Sequence, residues 1–156
     1  MTTSVPQWDV IPPGLTWKEK VAYVAYALSL LPGTECPLAH KFGPGTYVRE
    51  MFIPGGTLFV GREHRYGHLC QLISGSLVQV GPTAKTFATG PVQVQSQAGV
   101  HMVLYAVTDC QVRTVHANVT ESRDIQLLES DAFLPASDLL ELGEIVYKNC
   151  LLEKAS

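Results

Sequence analysis

Charged residues are scarce in this sequence and form no basic run. Asp, Glu, Lys and Arg make up 16% of the 156 residues, and the formal net charge is -3. Proteins that bind nucleic acids need a cluster of Lys and Arg to contact the phosphates. We therefore expect no nucleic-acid partner.

Long apolar segments are also missing. The longest, from Val21 to Leu31, is well short of the roughly 20 residues that cross a bilayer. The N-terminus has Trp8, Asp9 and several prolines where a signal peptide would carry its basic and apolar regions. The sequence predicts a soluble protein that does not enter a membrane and is not secreted.

Motifs of well-known enzyme and zinc-site classes are absent. The sequence contains no G-x-S-x-G, P-loop, dinucleotide fingerprint or H-E-x-x-H motif. Its cysteines never form C-x-x-C, so they indicate neither a zinc ribbon nor a redox pair. We expect small core thiols, while disulfide pairing stays open. These cysteines are Cys36, Cys70, Cys110 and Cys150.

Hydrophobic residues are plentiful, at 46% of the chain. A chain of this length can form one globular domain with its own core, and the apolar excess favours a surface hidden by a partner. Residues 1–15 contain Pro6, Pro12 and Pro13 and are predicted to form an extended arm. We expect self-association or assembly with other proteins.

A helix is predicted directly after this arm. Thr16 and Glu19 have the spacing of a capping box, and Pro32-Gly33 stops the helix after Leu31. Its apolar residues recur at helical spacing, so one face is expected to pack on a sheet. A second helix is predicted from Asp138 to Leu152, where the same periodicity returns.

Between these helices the sequence is typical of an all-β fold. From Phe42 onward, Gly and Pro turns recur every 8–12 residues between Val, Ile, Leu, Tyr and Thr segments. Eight short strands suit a jelly roll, with the predicted arm at 1–15, the helix and barrel at 16–130 and a C-terminal helical extension at 131–156. The strands are predicted near 46–53, 57–63, 68–73, 76–80, 85–88, 91–95, 100–107 and 111–119.

The stretch from Gly61 to Gly75, GREHRYGHLCQLISG, looks most like a functional site. His64 and His68 are separated by an even number of residues, so both side chains project from the same face of a strand. Imidazole is the commonest protein ligand of transition metals. Two imidazoles this far apart meet at one ion only if the strand bends, and Gly67 can supply that bend.

This stretch resembles the first cupin motif, and SQAGVH at 96–101 resembles the second. Together with segments 37–50, 53–57, 105–109 and 114–118, they are similar to the small cupin-like proteins of tailed bacteriophages. The likeness covers roughly residues 16–130. It implies a mainly β, cupin-like jelly-roll barrel with an N-terminal and a C-terminal helix.

Matching the motifs residue by residue gives a candidate metal set of His64, His68 and His101. His64 stands at the second motif histidine and His68 at the acidic position. Arg62 replaces the first histidine and, being always protonated, cannot be a ligand. His101 follows Gly99 after two residues where the pattern has three. On a regular strand a one-residue shift turns a side chain to the opposite face.

Other residues are predicted to line the cavity. His116 shares strand parity with Thr114 and is either an alternative to His101 as the third ligand or an edge histidine with an ordinary hydrogen bond. Tyr66 and Arg62 are further candidates for the cavity or for positions behind the ligands. His40, in a Gly/Pro-flanked segment, is assigned to structure. A bound ion would be a divalent transition metal such as Zn, Fe, Mn or Ni.

The resemblance implies three possible functions. The first is a phage-encoded structural or accessory protein, associated with the virion or found in the host cytoplasm, whose arm and terminal helix contact other copies or virion proteins. The second is a small metal-dependent dioxygenase or isomerase acting on a small polar substrate. The third is a non-catalytic module that binds a sugar or another small ligand. The incomplete first motif favours the first over an enzyme.

Overall fold

The computed structural model describes residues 11–155, so residues 1–10 of the predicted arm and Ser156 lie outside the described residues. Within that range the chain forms a β-rich unit and a helical unit, separated at about residues 34 and 134. The helices are α1 (Trp17–Ser29), α2 (Ile125–Ala132) and α3 (Ala136–Ala155). The strands are β1 (Leu38–Gly43), β2 (Thr46–Ile53), β3 (Leu58–Val60), β4 (His68–Ser74), β5 (Ser76–Val80), β6 (Lys85–Thr89), β7 (Val92–Ser96), β8 (Val103–Ala106) and β9 (Cys110–Ala117).

The strands form two antiparallel sheets. One has the order β1-β2-β9-β4-β7 and the other β3-β8-β5-β6. Neighbours such as β2 and β9 are far apart in sequence, as in jelly rolls and unlike a simple meander. The predicted mainly β architecture, with a helix near each end of the described residues, is confirmed.

Alternation of side chains along the strands places the core between the sheets. On β2, Tyr47 and Ile53 are buried on the inner face while Phe52 is exposed. Strand β4 alternates in the same way, and Gly75 at its end has a φ of 95°. A Cβ at Gly75 would collide with the backbone of Asp109, so glycine is required there. The core cluster consists of Ile53, Cys70, Leu72, Leu77, Leu104, Ala106, Cys110 and Val112.

The helical unit consists of α1 and α3. The predicted capping box is present, because the Thr16 side chain accepts from the Glu19 amide and Glu19 bonds back to the Thr16 amide. The two helices contact each other closely where Gly143 meets the Ala22 carbonyl. Tyr147 stacks beside Tyr23, with ring centroids 5.4 Å apart. The buried face of α1 thus has α3 as a neighbour, where the sequence led us to expect a sheet.

Two elements were not predicted. Strand β1 pairs with β2 along its whole length across the turn at Pro44-Gly45, although Gly and Pro flank it. Helix α2 begins at the N-cap Asp124, whose side chain accepts from the Leu127 amide. The contacts group α1 with α3 and α2 with the strands. This grouping depends on contacts between residues that are distant in sequence, which local periodicity cannot predict.

The four cysteines are free thiols, three of them buried. Among residues 11–155, no helix has the length and hydropathy of a membrane span.

Candidate functional site

Three histidine side chains lie together in the interior of the β-rich unit. The ring centroids of His64 and His68 are 3.7 Å apart, and that of His116 lies 5.5 Å from the first and 5.2 Å from the second. All three side chains are buried. We call His64, His68 and His116 the histidine cluster.

The cluster forms because three parts of the chain meet. His116 lies on the inner face of β9, opposite Tyr47 of β2. The register Leu69↔Val115 brings His68, the first residue of β4, next to it. The chain bends at Arg65 and Tyr66, directly before Gly67, where the sequence had led us to expect the bend, and this brings His64 back over His68.

His64 is held outside the strands by contacts with the segment after α2. It forms an isolated bridge with Phe133, while the Arg65 amide donates to the Ala132 carbonyl at 2.8 Å. The Leu134 amide donates to the Glu63 carbonyl at 2.9 Å on the other side. Residues 132–134 therefore close this end of the barrel.

Several ring nitrogens of the cluster are buried without a hydrogen-bond partner in the described part of the chain. They are Nε2 of His64 and both nitrogens of His68, one of which faces the Tyr66 backbone without a well-formed hydrogen bond. Of the three histidines, His116 has a side-chain hydrogen-bond partner among the described residues, since its Nε2 shares a hydrogen bond of 2.9 Å with the Thr114 hydroxyl. Buried polar atoms are normally paired, and each unpaired one costs about 1–3 kcal/mol. Such atoms indicate a place where a ligand, ion or water belongs.

The histidines are neutral at physiological pH. Burial, followed by the charges of His68, His116 and Arg49, lowers the pKa of His64 to about 3. Burial is also the main cause that lowers the pKa of His116 to about 4, and it lowers the pKa of His68. Neutral imidazole is the form that ligates metals.

Phe133 covers the cluster. It is 2% exposed, and its ring meets that of His64 edge-on with centroids 4.7 Å apart. The guanidinium carbons of Arg49 and Arg62 lie 4.5 Å and 4.6 Å from the centre of the same ring. These distances allow cation–π contacts, which fix the ring in place.

A cavity of about 260 Å³ lies beside the cluster. Arg49, Arg62, His64 and Thr114 supply its polar groups, and no Asp or Glu is among the described residues that line it. Its apolar wall includes Met51, Ile53, Phe59, Met102, Val112 and Phe133.

A second, larger cavity of about 390 Å³ lies between the sheets and is lined mainly by apolar side chains. Met102 and Val112 line both cavities, so they form a shared wall.

The predicted site residues are only partly brought together. The structure unites His64 and His68 with His116, whereas Nε2 of His101 lies 3.5 Å from a carboxylate oxygen of Glu63. Arg62 lines the cavity, as expected. Tyr66 is 70% exposed and lines a separate cavity of about 220 Å³ together with His116. His40 bonds the Tyr47 hydroxyl through Nδ1 at 2.6 Å, which is a structural role.

Sequence reasoning missed Arg49, Glu129 and Phe133. Arg49 shares the inner face of β2 with Tyr47 and Ile53, so a charge in an otherwise apolar inner row was a usable signal. Nothing local marks Phe133 or Glu129, because their roles depend on where α2 docks.

The side chains as they stand form no group of three or more His, Cys, Asp or Glu that could hold a metal ion, within residues 11–155. The planes of the clustered rings differ by only 11° to 18°. Nitrogen lone pairs lie in the ring planes, so those of stacked rings do not converge. The donor chemistry suits a transition metal, but the rings must turn to bind one.

Comparisons with known proteins bear on the fold alone. The sequence matches no family model and no curated protein. A cupin-2 domain protein from Shewanella frigidimarina is 9% identical over 60% of this chain and 91% of its own, with a TM-score of 0.42. A cupin domain from Bordetella pertussis is 15% identical over 56% and 97%, with a TM-score of 0.44. A double-stranded β-helix protein from Klebsiella pneumoniae is 14% identical over 59% and 85%, with a TM-score of 0.48.

Proposed function

We propose that this chain is a cupin-like metal-binding protein whose barrel holds one divalent transition ion with His64, His68 and His116. The observation that carries the proposal is the set of three buried, unpartnered nitrogens on His64 and His68. Binding an ion would give these atoms the partner that the described residues do not provide. Zn, Fe, Mn and Ni are all compatible with imidazole ligands.

The neighbouring groups support a neutral ligand set. The pKa values of His64 and His116 lie well below 7, so metal binding at neutral pH displaces no proton from these two rings. The Thr114 hydroxyl bonded to His116 Nε2 helps to orient that ring. If Nε2 keeps this bond, Nδ1 is the nitrogen left for the ion.

A metal held by three protein ligands supplies a Lewis acid with open positions for a small ligand. The chain's own contribution is a largely apolar cavity with two guanidinium groups on its wall. Since no carboxylate lines that cavity among the described residues, a general acid or base is not evident beside the cluster. The geometry thus favours binding over acid–base catalysis, and the dioxygenase or isomerase alternative stays a secondary proposal.

Metal titration calorimetry tests the site. The wild-type chain, freed of metal with a chelator and then dialysed, is expected to bind one Zn²⁺ or Ni²⁺ per chain. His68→Ala and His116→Ala each remove a ligand and should weaken binding by about 100-fold or more, beyond what loss of an outer partner costs.

His40→Ala and His101→Ala are the matched controls, since they remove the remaining histidines. Both should bind as the wild type does. Loss of binding in His101→Ala with full binding in His116→Ala would overturn the proposed ligand set in favour of the motif-based one. Absence of stoichiometric binding in the wild type would overturn the metal-binding function.

A structural or accessory role in a phage particle is the second proposal, and the exposed apolar side chains at the sheet edges favour it. Phe87 on β6 is 56% exposed and Val94 on β7 is 58% exposed, and both strands end their sheets. Apolar edge strands are prone to pair with another chain. Light scattering should show a dimer or larger assembly that Phe87→Lys reduces in mass, whereas a wild-type monomer at all concentrations contradicts this role.

A further inference from the structure

Two arginines beside the histidine cluster converge on a single carboxylate oxygen. Nη2 of Arg49 lies 3.3 Å from Oε2 of Glu129, and Nη1 of Arg62 lies 3.7 Å from the same oxygen. Arg49 comes from β2, Arg62 from the segment after β3, and Glu129 from α2. Three separate parts of the β-rich unit therefore place two positive charges around one negative charge.

Apart from a long hydrogen bond that Nη2 of Arg62 donates to the Leu134 carbonyl at 3.4 Å, the donors of the two arginines are poorly satisfied. Strong bonds between guanidinium and carboxylate groups are about 2.7–2.9 Å long and often use both oxygens, whereas here one oxygen serves both arginines at longer range. The Nε atoms of Arg49 and Arg62 are buried and have no hydrogen-bond partner in the described residues. Because two guanidinium groups face one carboxylate, this end of the cavity has hydrogen-bond donors and positive charge to spare.

The same two arginines line the cavity of about 260 Å³ next to His64. Away from them its wall is apolar and includes Met51, Ile53 and Phe59. Small-molecule sites of about 300–1,000 Å³ take drug-sized ligands, so this cavity suits a smaller one. A charged end and an apolar end match a compact organic acid.

We propose that Arg49 and Arg62 bind the carboxylate of a small organic acid whose apolar part fills this cavity, and that Glu129 competes for the same guanidinium groups. The ligand class is a carboxylate because a carboxylate is the group that the two arginines already contact. This site does not require a metal, so its test stands apart from that of the proposed metal function. A metal-bound ligand would nonetheless lie beside it, since His64 lines the same cavity.

The test is calorimetric or NMR titration of the full chain in the presence of EDTA, with three probes. Benzoate carries both the charge and an apolar body, benzamide has nearly the same shape without the charge, and inorganic phosphate has charge alone. Benzoate is expected to bind about tenfold or more tightly than either of the others, as loss of a charged hydrogen bond implies.

Variants identify the groups. Glu129→Gln removes the internal competitor at almost constant shape and should tighten benzoate binding about tenfold. Arg62→Gln should weaken it by a similar factor. Arg113→Gln is the control, because Arg113 forms a comparable ion pair with Glu50 on the outer face of the same sheet, and it should leave benzoate binding unchanged.

Equal binding of benzoate and benzamide, or of benzoate and phosphate, would overturn the proposal. So would a Glu129→Gln variant that folds, as judged by its circular dichroism spectrum and melting curve, and binds benzoate no more tightly than the wild type. That result would leave Glu129 as a structural clamp on α2. A failure here leaves the metal titration of the histidine cluster unaffected.

Discussion

Lowering the pH from 7 to 4 in a buffer with chelator is expected to reduce the free energy of unfolding by roughly 3–6 kcal/mol, because the shifts of the two histidines are coupled and do not simply add. The pKa values of His64 and His116 are about 3 and about 4 in the folded chain, whereas an exposed histidine has a pKa near 6.5. Below pH 6.5 the histidines of the unfolded chain become protonated, whereas the buried histidines of the folded cluster stay neutral. Each histidine then costs about 1.4 kcal/mol per pH unit, or about 3 kcal/mol by pH 4.

The sign of the effect follows from the direction of these shifts. The stabilising contribution is complete above pH 6.5 and is lost as the pH falls toward the folded-state pKa values. Glu50, whose pKa is lowered by hydrogen bonds from Lys41 and Arg113, loses its contribution only below about pH 4.5. The interval between pH 6.5 and 4.5 therefore reports on the histidines.

Urea unfolding followed by circular dichroism at several pH values in that interval measures the effect. His116→Gln should reduce the pH dependence by about half, because one of the two strongly shifted groups is removed. His40→Gln is the control, since His40 lies outside the cluster. A wild-type unfolding free energy that stays constant from pH 6.5 to 4.5 would show that the cluster is not buried and neutral as described.

Replacing Phe133 with alanine is expected to lower the free energy of unfolding by about 3–5 kcal/mol. The side chain is 2% exposed, and its removal leaves a space between His64, Arg49 and Arg62. It should also open the cluster to water. Because burial is the main cause of the low pKa of His64, that pKa should rise toward 6.5.

Chemical denaturation and an NMR titration of the imidazole signals check the two parts of this prediction. Phe87→Ala is the matched control, since Phe87 is 56% exposed, and it should cost about 0.5 kcal/mol or less. Phe133→Leu keeps most of the volume and should cost less than about 1.5 kcal/mol while the cluster stays closed. A Phe133→Ala variant as stable as Phe87→Ala would contradict the covering role.

Much of the fold could be predicted because its signals are local. Thr16 and Glu19 mark the start of α1, and Gly75 marks the end of β4 because a side chain would strike Asp109. The jelly roll followed from turns at regular spacing. By contrast, β1 owes its existence to pairing with β2, and α3 was assigned to its own extension because its contact with α1 spans most of the chain.

In the candidate site, too, some residues could be predicted from local sequence signals and others could not. His64, His68 and the bend before Gly67 could be found from the sequence, because motif spacing and strand parity are local properties. His116 had the right parity but entered the cluster only through the register of β9 with β2 and β4. Phe133 carries no signal of its own, since an aromatic residue near a helix end is usually core.

A crystal structure of the chain soaked in Ni²⁺ or Zn²⁺, with anomalous data at the metal edge, tests the metal site most directly. The expected result is one anomalous peak about 2.1 Å from nitrogens of His64, His68 and His116, with the rings turned out of their stack. Absence of a peak at the cluster, or a peak between His101 and Glu63 instead, would contradict the proposed centre.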